Sequence, residues 1–333
     1  MAIPRAAYPP PFNITRASHA VLTVKDLGAS RAFYVDALGF AVSDEDANTL
    51  YLRGIEEACH HSLVLKRATE ARCERAGFRV YTEDDLEKAK AYFERAGLPA
   101  KWVEVPHQGR TLHVNDAVGT PLEFCATMET RPRLVVQFQK HHGACPLRID
   151  HMQILTTDVQ KACEFYSALG FRLSEFIAVD NTDELIFVFL QRKGNPHDIV
   201  FVNGLGPRFH HAAFSVPDAA HILTACDIAG SFGFGNNLEF GPGRHGPGHA
   251  LFGYFRDPDG HRIEVFNTHY QMMDIENEPV RWNLSYMTRR PWGLPAQRSW
   301  FEEASLFASV EPKPPAKKGN PLTLERYLLE EAK

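Results

Sequence analysis

An internal repeat constrains the fold of this chain more than any other feature of its sequence. The stretch SHAVLTVKDLGASRAFYVDALGF (18–40) is matched by DHMQILTTDVQKACEFYSALGF (150–171). In both, a histidine stands 14 residues before a Phe-Tyr pair, and an aspartate between them is suited to cap a helix that ends near Leu-Gly-Phe. A strand and helix that recur in this way indicate a duplicated structural unit.

The similarity continues through three further pairs of segments: 61–66 with 197–202, 78–97 with 211–230, and 115–124 with 256–266. The second of these pairs aligns His211 with Phe78. In the third pair, Asp116, Gly119 and Glu123 correspond to Asp257, Gly260 and Glu264. Each half of the chain is therefore expected to contain two modules, each of one strand, one helix and three strands.

The helices are too few for a doubly wound parallel sheet, so we predict an α+β fold of two similar domains, each of two βαβββ modules. The N-terminal domain is expected at 12–130 and the C-terminal domain at 145–270. The aromatic-rich segment 271–310 is expected to form a lid that excludes water, a subunit interface, or both. Residues 311–333 are predicted to form a flexible tail with a short amphipathic helix.

Composition excludes several classes of function. A formal net charge of −5 argues against binding to nucleic acid or to an anionic membrane surface. No apolar run approaches the length of a membrane span, and the N-terminal residues have no apolar run of the length expected in a signal peptide. The six cysteines form no CxxC pair and are typical of reduced thiols in a cytoplasmic protein. Sixteen histidines are an excess that suggests a metal site.

The C-terminal half carries metal-binding side chains at three positions of the repeat: His151, His211 and Glu264. The N-terminal half carries His19, Phe78 and Glu123 there, and we expect no complete metal site in it. Two imidazoles and one carboxylate on one face of an ion leave other positions open, an arrangement that suits non-haem iron(II). Because strand residues alternate between faces, His210 is predicted to face away from His211.

Five ordered motifs carry a resemblance to a known family: RIDHMQI (148–154), RKGNPHDIVF (192–201), GPRFHHAAFSV (206–216), GPGRHGPGHALFGYFRDPDGHRIEVF (241–266) and RRPWGLP (289–295). They resemble the type I extradiol catechol dioxygenases of the vicinal oxygen chelate superfamily, in particular the catechol and homoprotocatechuate 2,3-dioxygenase branch. The resemblance covers residues 15–305. It implies iron(II), or manganese(II), bound by His151, His211 and Glu264, and a homo-oligomer such as a tetramer.

The resemblance also implies roles for residues around the metal. His197 matches the family's acid–base histidine, which assists dioxygen. His245 and Tyr254 match residues that hydrogen-bond the bound substrate oxygens. The reaction would be extradiol cleavage of catechol or a substituted catechol with dioxygen, giving a 2-hydroxymuconic semialdehyde.

Substrate preference depends on positions where this chain departs from arylacetate-cleaving relatives. Those relatives carry arginine, tryptophan and asparagine at the positions occupied here by Phe240, Phe189 and Gln153. Losing that arginine leaves an apolar wall and favours an uncharged catechol. Arg289 and Arg290, beside Trp292, match arginines of which one meets the substrate carboxylate, so homoprotocatechuate stays an alternative.

Two other classes of function stay open. A ligand-sequestering member of the superfamily would lack the metal-binding triad, whereas this chain has it. A glyoxalase-type isomerase would use four ligands spread over two modules, which would require His19 or Glu123 to bind the metal.

Overall fold

The computed structural model describes residues 3–287, 291–316 and 321–331, and it confirms the α+β fold of two similar domains. The first module comprises β1 (Ile14–Val24), α1 (Leu27–Arg31) with a π-helical continuation (Ala32–Ala37), β2 (Ala41–Glu45), β3 (Thr49–Arg53) and β4 (Leu63–Arg67). The second comprises β5 (Arg72–Val80), α2 (Glu83–Arg95), β6 (Ala100–Val103), β7 (Thr111–Asn115) and β8 (Pro121–Cys125).

The second half repeats this order. The third module comprises β9 (Arg148–Thr156), α3 (Val159–Ala168), β10 (Arg172–Ala178), β11 (Leu185–Gln191) and β12 (Ile199–Asn203). The fourth comprises β13 (Arg208–Ser215), α4 (Ala219–Ser231), β14 (Leu238–Arg244), β15 (Leu251–Arg256) and β16 (Arg262–Asn267). The C-terminal segment adds β17 (Val280–Asn283), α5 (Leu284–Met287), α6 (Arg298–Glu302), β18 (Ser305–Leu306) and α7 (Leu324–Glu331). The helix predicted near the C-terminus is α7, while 317–320 lie outside the described residues.

Each half forms one sheet with a two-fold pattern. The N-terminal sheet has the strand order β2-β3-β4-β1-β5-β8-β7-β6, and the C-terminal sheet has β14-β15-β16-β13-β9-β12-β11-β10-β17. The first strands of the two modules pair antiparallel at the centre, and each is flanked by the last strand of its own module in parallel. Four strands that open or close a module therefore lie side by side in the middle of each sheet.

The helices begin and end as the repeat predicts. The side chain of Asp26 accepts hydrogen bonds from two backbone amides of α1, and that of Asp158 accepts one from Lys161 in α3. Gly39 and Gly170 follow the helix ends with φ of +86° and +85°, a conformation that glycine adopts without steric cost. The chain can therefore turn directly into the next strand in both halves.

The pairing register corrects one predicted alignment. Gly77 lies opposite His19 and Glu123, just as Ala213 lies opposite His151 and Glu264. His211 stands two residues before Ala213, and Arg75 stands two residues before Gly77. Arg75 is therefore the residue of the N-terminal half that is equivalent to His211. The alignment of His211 with Phe78 is therefore wrong by three residues.

The cause of this error is a false match between glycines. Matching Ala-Gly at 96–97 with Ala-Gly at 229–230 aligned Gly97 with Gly230. Gly230 lies inside α4, whereas Gly233 has the positive φ of +86° that corresponds to +73° at Gly97. A glycine of equivalent conformation therefore stands three residues further along the chain.

One continuous apolar core joins the two halves, and it lies on one face of the C-terminal sheet. Met152 and Ile154 of β9 point into this core, whereas His151 and Gln153 line a pocket on the opposite face. This alternation follows from the pleat of a strand. The second face is covered by a separate cluster that includes Phe189, Phe240, Tyr254 and Trp300.

Candidate metal centre

Three neighbouring strands at the centre of the C-terminal sheet bring His151, His211 and Glu264 together. Ala213 of β13 pairs with His151 of β9 on one side and with Glu264 of β16 on the other. Glu264 Oε2 lies 3.2 Å from Nε2 of His151 and 3.2 Å from Nε2 of His211. All three residues are buried, and one ligand atom from each lies within 4.8 Å of the others.

These residues fit a divalent metal ion. Nε2 of His211 is buried and has no hydrogen-bond partner of good geometry, although it faces a carboxylate oxygen. Two imidazole nitrogens and a carboxylate oxygen converge here without forming good hydrogen bonds to one another. A bound cation would satisfy all three atoms. Between them the three residues carry one negative charge, so a divalent ion would keep a net positive charge to attract an anionic ligand.

A second ring of side chains encloses the space in front of the ligands. The pocket has an empty volume of about 480 Å³, part of it open to solvent. Besides the three ligands it is lined by Gln153, Phe187, Phe189, His197, Val200, His245, Pro247, Ala250, Tyr254, His269 and Trp300. The pocket therefore combines apolar and aromatic walls with several imidazoles, a carboxylate and a phenol hydroxyl.

The structure places the predicted acid–base residue directly beside the candidate metal ligands. His197 is buried just before β12, with its ring centroid 4.1 Å from that of His151 and 5.2 Å from that of Phe189. Its Nδ1 has no hydrogen-bond partner. Burial, with smaller contributions from the neighbouring His151 and His269, holds the pKa of His197 well below its ordinary value. The imidazole is therefore neutral near pH 7 and can accept a proton before it donates one.

His245 and Tyr254 form a hydrogen-bonded pair at the opposite wall. His245 Nε2 lies 3.0 Å from the Tyr254 hydroxyl and 3.7 Å from Glu264 Oε1. Tyr254 lies directly across from Glu264 in the β15–β16 pairing. Both side chains border the pocket, so they can hydrogen-bond an oxygen-bearing ligand of the metal.

The predicted substrate-contacting residues differ in their positions relative to the pocket. Gln153 and Phe189 line the pocket. Phe240 lies behind Tyr254, with the two rings nearly parallel and their centroids 5.6 Å apart, so it supports the wall without facing the cavity. Trp292 is 50% exposed and is joined to β14 by a backbone hydrogen bond from Arg244. Arg289 and its neighbour 290 lie outside the described residues.

Both histidine ligands follow a β-bulge. In the β9–β13 pairing, Asp150 and His210 are the extra residues at which the register shifts. Asp150 Oδ1 lies 3.0 Å from Nδ1 of His151, and Nδ1 of His210 lies 2.7 Å from Nδ1 of His211. A bulge inserts a residue that leaves the alternation of faces, so each extra side chain can reach the ligand that follows it.

The expectation that His210 faces away from His211 is therefore wrong. It assumed uninterrupted alternation of faces, which the bulge breaks. His210 is buried, its ring centroid lies 5.0 Å from that of His211, and its Nε2 donates to the Trp300 carbonyl at 2.8 Å. His211, as predicted, is the member of the pair that faces Glu264.

Sequence reasoning did not identify several residues of the site. His269 follows β16 and lies beyond the last repeated strand, yet its ring is 4.6 Å from that of His197 and its Nδ1 is 3.4 Å from Asp150 Oδ1. Asp150 itself had a recognisable signal, an acid directly before a ligand histidine. Trp300 is one of the aromatic residues of the C-terminal segment that was predicted to form a lid or an interface, and it forms part of the pocket wall.

Glu264 stays ionised despite its burial. Burial alone would raise the pKa of Glu264, but the neighbouring imidazoles of His151 and His211 outweigh it and hold the pKa well below its ordinary value. The site therefore presents a carboxylate to a cation near neutral pH.

The N-terminal half has lost the equivalent site. Glu123 accepts hydrogen bonds from His19 at 2.7 Å, from Gln108 at 2.7 Å and from His113 at 2.6 Å. Arg75 stands in the place of His211, and a guanidinium cannot bind a metal cation. The carboxylate there is already satisfied by protein donors.

A second histidine cluster in the N-terminal half also lacks metal-site geometry. Asp44, His60 and His107 bring ligand atoms within 4.8 Å of one another. However, the two imidazole rings are stacked in parallel, 3.8 Å apart at an interplanar angle of 6°. The nitrogen lone pairs of two parallel rings lie in parallel planes, so they cannot both point at one ion at bonding distance.

Comparison with known proteins agrees with this architecture. The family model of the Glyoxalase/Bleomycin resistance protein/Dioxygenase superfamily matches residues 16–124 and 148–265, one match for each half. A solved structure of a homoprotocatechuate 2,3-dioxygenase variant from Brevibacterium fuscum superposes with a TM-score of 0.90 and 36% identity, covering 96% of this chain and 90% of that one.

Two curated relatives are similar over most of their length. A manganese-dependent 2,3-dihydroxybiphenyl 1,2-dioxygenase from Geobacillus genomosp. 3 is 29% identical over 290 residues, which cover 81% of this chain and 90% of that protein. A metapyrocatechase from Geobacillus stearothermophilus is 25% identical over 291 residues, covering 83% and 88%. Duplicated modules around a His-His-Glu site define a metal-dependent vicinal oxygen chelate protein. Within that superfamily, this chain belongs to the type I extradiol ring-cleaving dioxygenases.

Proposed function

We propose that this enzyme cleaves catechols beside the diol, using dioxygen and a divalent metal ion bound by His151, His211 and Glu264. The observation that carries the proposal is the convergence of these three buried ligand atoms at the floor of an aromatic pocket. The similarity to ring-cleaving dioxygenases over most of the chain supports the same chemistry.

The metal supplies a Lewis acid that lowers the pKa of a chelated catechol and holds it beside dioxygen. The other residues of the pocket bind the substrate and orient it. Tyr254 and His245 lie where they can hydrogen-bond the substrate oxygens, and the aromatic wall of Phe189 and Trp300 can contact the ring. These contacts place the diol in one orientation relative to His197.

His197 is proposed to move a proton. Its imidazole is buried and neutral. Through Nδ1 or Nε2, the ring can accept the proton that a catechol hydroxyl releases. It can then return this proton to the oxygen atoms as negative charge develops during ring opening. The burial of His197 limits the access of bulk water to that transfer.

Iron(II) is the metal that we propose, because the donor set of two imidazoles and one carboxylate suits it. One curated relative is named as manganese-dependent, and the same donors accept manganese(II). Metal analysis of protein purified without oxygen, followed by reconstitution with each ion, tests this assignment. Higher ring-cleaving activity with manganese(II) than with iron(II) would overturn it. We further propose a homo-oligomer, which size-exclusion chromatography with light scattering tests.

The pocket favours an uncharged catechol, such as catechol or a methylcatechol. Among the described residues that line it, none is an arginine or lysine, and Phe240 stands behind the wall where arylacetate-cleaving relatives have arginine. A carboxylate entering such a wall would lose its hydration without gaining a cationic partner.

Homoprotocatechuate is the second candidate substrate. It is favoured by the 36% identity to the homoprotocatechuate dioxygenase structure over 96% of this chain. A comparison of kcat/KM for catechol, 3-methylcatechol, 4-methylcatechol and homoprotocatechuate separates the two. A preference for homoprotocatechuate would contradict the uncharged substrate but leave the reaction class intact.

The reaction itself is tested with iron-loaded protein mixed with catechol and air-saturated buffer. We expect a yellow ring-opened product and consumption of dioxygen equal to that of catechol. His211→Ala should remove both metal binding and product formation. Iron-replete protein that opens none of these catechols would contradict the proposal.

A further inference from the structure

The two histidine ligands are held by the same local device. At each one, a bulge places the preceding residue against the Nδ1 of the ligand: Asp150 against His151 and His210 against His211. Metal-binding histidines generally use their second nitrogen to donate to a neighbouring acceptor, which fixes the ring and its tautomer. A carboxylate does so at the first ligand, and an imidazole occupies the same place at the second.

The direction of the hydrogen bonds around His210 follows from one carbonyl. The Trp300 carbonyl can only accept, so the Nε2 of His210 carries a hydrogen and its Nδ1 is the acceptor in the neutral ring. Nδ1 of His211, 2.7 Å away, must then be the donor. A neutral His211 with its hydrogen on Nδ1 leaves the lone pair of Nε2 free, and this is the atom that faces Glu264.

The N-terminal half provides an internal comparison, because it has the same bulges without a metal site. There the extra residues are Ser18 and Glu74, which precede His19 and Arg75. Glu74 pairs with Lys66 at 2.7 Å. The bulges therefore belong to the repeat. At the second bulge, the extra residue is His210 where His211 follows it, and Glu74 where Arg75 follows it.

From this geometry we propose that His210 is a positioning residue for the metal. It accepts the Nδ1 hydrogen of His211, fixes the tautomer that presents Nε2 to the ion, and is itself anchored by the Trp300 carbonyl. This inference rests on the proposed function, because it concerns a ligand of the same site. It also links the C-terminal segment to the metal, since Trp300 lies in α6 and borders the pocket.

Three substitutions separate the two hydrogen bonds of His210. In His210→Asn, the side-chain oxygen can replace Nδ1 as the acceptor for His211, while the contact with Trp300 is lost. In His210→Gln, the longer amide can still donate to the Trp300 carbonyl, but the acceptor for His211 is lost. His210→Leu removes both hydrogen bonds.

Metal affinity is measured without catechol, by titrating the full-length metal-free protein with Mn²⁺ and detecting the free ion by electron paramagnetic resonance. His210→Gln and His210→Leu should bind Mn²⁺ about 10- to 100-fold more weakly than the parent protein. His210→Asn should bind close to the parent. If His210→Gln keeps the affinity while His210→Asn loses it, or if all three variants match the parent, the proposal is wrong.

A second measurement uses the unsubstituted protein and does not depend on the folding of variants. With ¹⁵N-labelled histidine and Zn²⁺ as a diamagnetic probe, an N–H···N hydrogen bond transmits a scalar coupling between its two nitrogens. We expect a coupling between Nδ1 of His211 and Nδ1 of His210, with the hydrogen on His211. Finding that hydrogen on Nδ1 of His210 would overturn the proposal.

The pair His60–His61 provides the matched control, because their Nδ1 atoms are 3.0 Å apart in the N-terminal half. Any coupling in that pair should persist in His210→Asn. Failure of this inference and failure of the proposed function are also distinguishable. Protein that binds Mn²⁺ as predicted but opens no catechol would refute only the function, whereas active protein whose His210→Gln variant keeps full affinity would refute only the role of His210.

Discussion

At the scale of single residues, the chemistry of this site depends on which histidine nitrogens are committed to protein partners. Nδ1 of His151 is next to a carboxylate and Nδ1 of His211 is next to another imidazole, which leaves both Nε2 atoms for an ion. His197 differs from both, because its Nδ1 has no partner. This difference supports the proposal that His151 and His211 bind the metal and that His197 exchanges a proton.

Replacing His197 by phenylalanine should slow the reaction without emptying the metal site. The ring would keep its volume between His151 and Phe189 but lose its ability to accept and donate a proton. We expect kcat to fall about 10²- to 10⁴-fold, the usual contribution of acid–base catalysis. Steady-state oxygen consumption with catechol measures this loss, and metal analysis shows whether the ion is retained.

His61 is the control for that substitution, because it occupies the position equivalent to His197 in the N-terminal half. Its ring is also buried, 5.3 Å from that of His19. His61→Phe should alter stability but leave kcat close to that of the parent enzyme. Equal losses in both variants would indicate a packing effect and count against the role of His197.

At the scale of secondary-structure elements, the sequence predicts the modules well and the irregularities poorly. Aspartate caps, Leu-Gly ends and alternating apolar residues are local signals, and each half follows them. The bulges at Asp150 and His210 have no such signal, because they depend on how two distant strands pair. The residue equivalent to His211 was also misassigned. A glycine inside α4 was mistaken for the glycine that follows the end of this helix.

The same limits apply to the candidate site. Its three candidate metal-binding residues were predicted as a set from repeat positions, and the fold brings them together. His269 was missed because it follows the last repeated strand, and only the fold brings it beside His197. Trp300 lies five residues after the RRPWGLP motif, and its place in the pocket wall depends on the path of the C-terminal segment.

Gly77 gives a prediction about the central strands. A Cβ atom built on Gly77 would lie 2.3 Å from the ring of His19, which is buried and bonded to Glu123. The ring cannot move away without losing that hydrogen bond, so Gly77→Ala should lower the free energy of unfolding by about 1–3 kcal/mol. Urea denaturation followed by circular dichroism measures the change.

Ala213 is the matched control, because it stands in the equivalent position of the C-terminal half. The reverse substitution Ala213→Gly removes one methyl group without a clash and should cost about 1 kcal/mol or less. If the Gly77→Ala protein is as stable as the parent, the side chain of His19 can adopt another position at no cost in stability.

At the scale of the whole molecule, two reciprocal hydrogen bonds join the halves. The Tyr34 hydroxyl donates to Asp257 at 3.0 Å, and the Tyr166 hydroxyl donates to Asp116 at 3.0 Å. Each aspartate belongs to the turn that precedes the last strand of its module, and each tyrosine to the first helical segment of the other half. The two halves are thus connected by the same pair of residue types on both sides of the pseudo-two-fold axis.

Asp116 should make stability depend on pH. Burial raises its pKa from 3.8 to about 6, although hydrogen bonds from Thr120 and Tyr166 oppose the shift. Because the folded state holds the proton more tightly, this stabilisation is full below about pH 4 and is lost as pH rises through about 6. The loss is on the order of 3 kcal/mol.

Asp116→Asn removes this titration and should be more stable than the parent at about pH 8, with a smaller difference at about pH 5. Equilibrium unfolding at the two pH values measures both differences. The variant would contradict the prediction if its stability fell with pH as steeply as that of the parent.

The whole chain should bind a single metal ion although it contains two copies of the domain. In the N-terminal copy, three protein donors already satisfy Glu123, and Arg75 occupies the place of His211. His19→Ala should therefore leave the metal content unchanged, even though the lost ring lowers the free energy of unfolding by about 2–4 kcal/mol. His211→Ala should abolish metal binding. Mass spectrometry of the metals in both variants tests this difference, with His113→Gln as a milder change to the same N-terminal cluster. Loss of the ion in His19→Ala would instead support ligands shared between the two halves, as a glyoxalase-type isomerase would require.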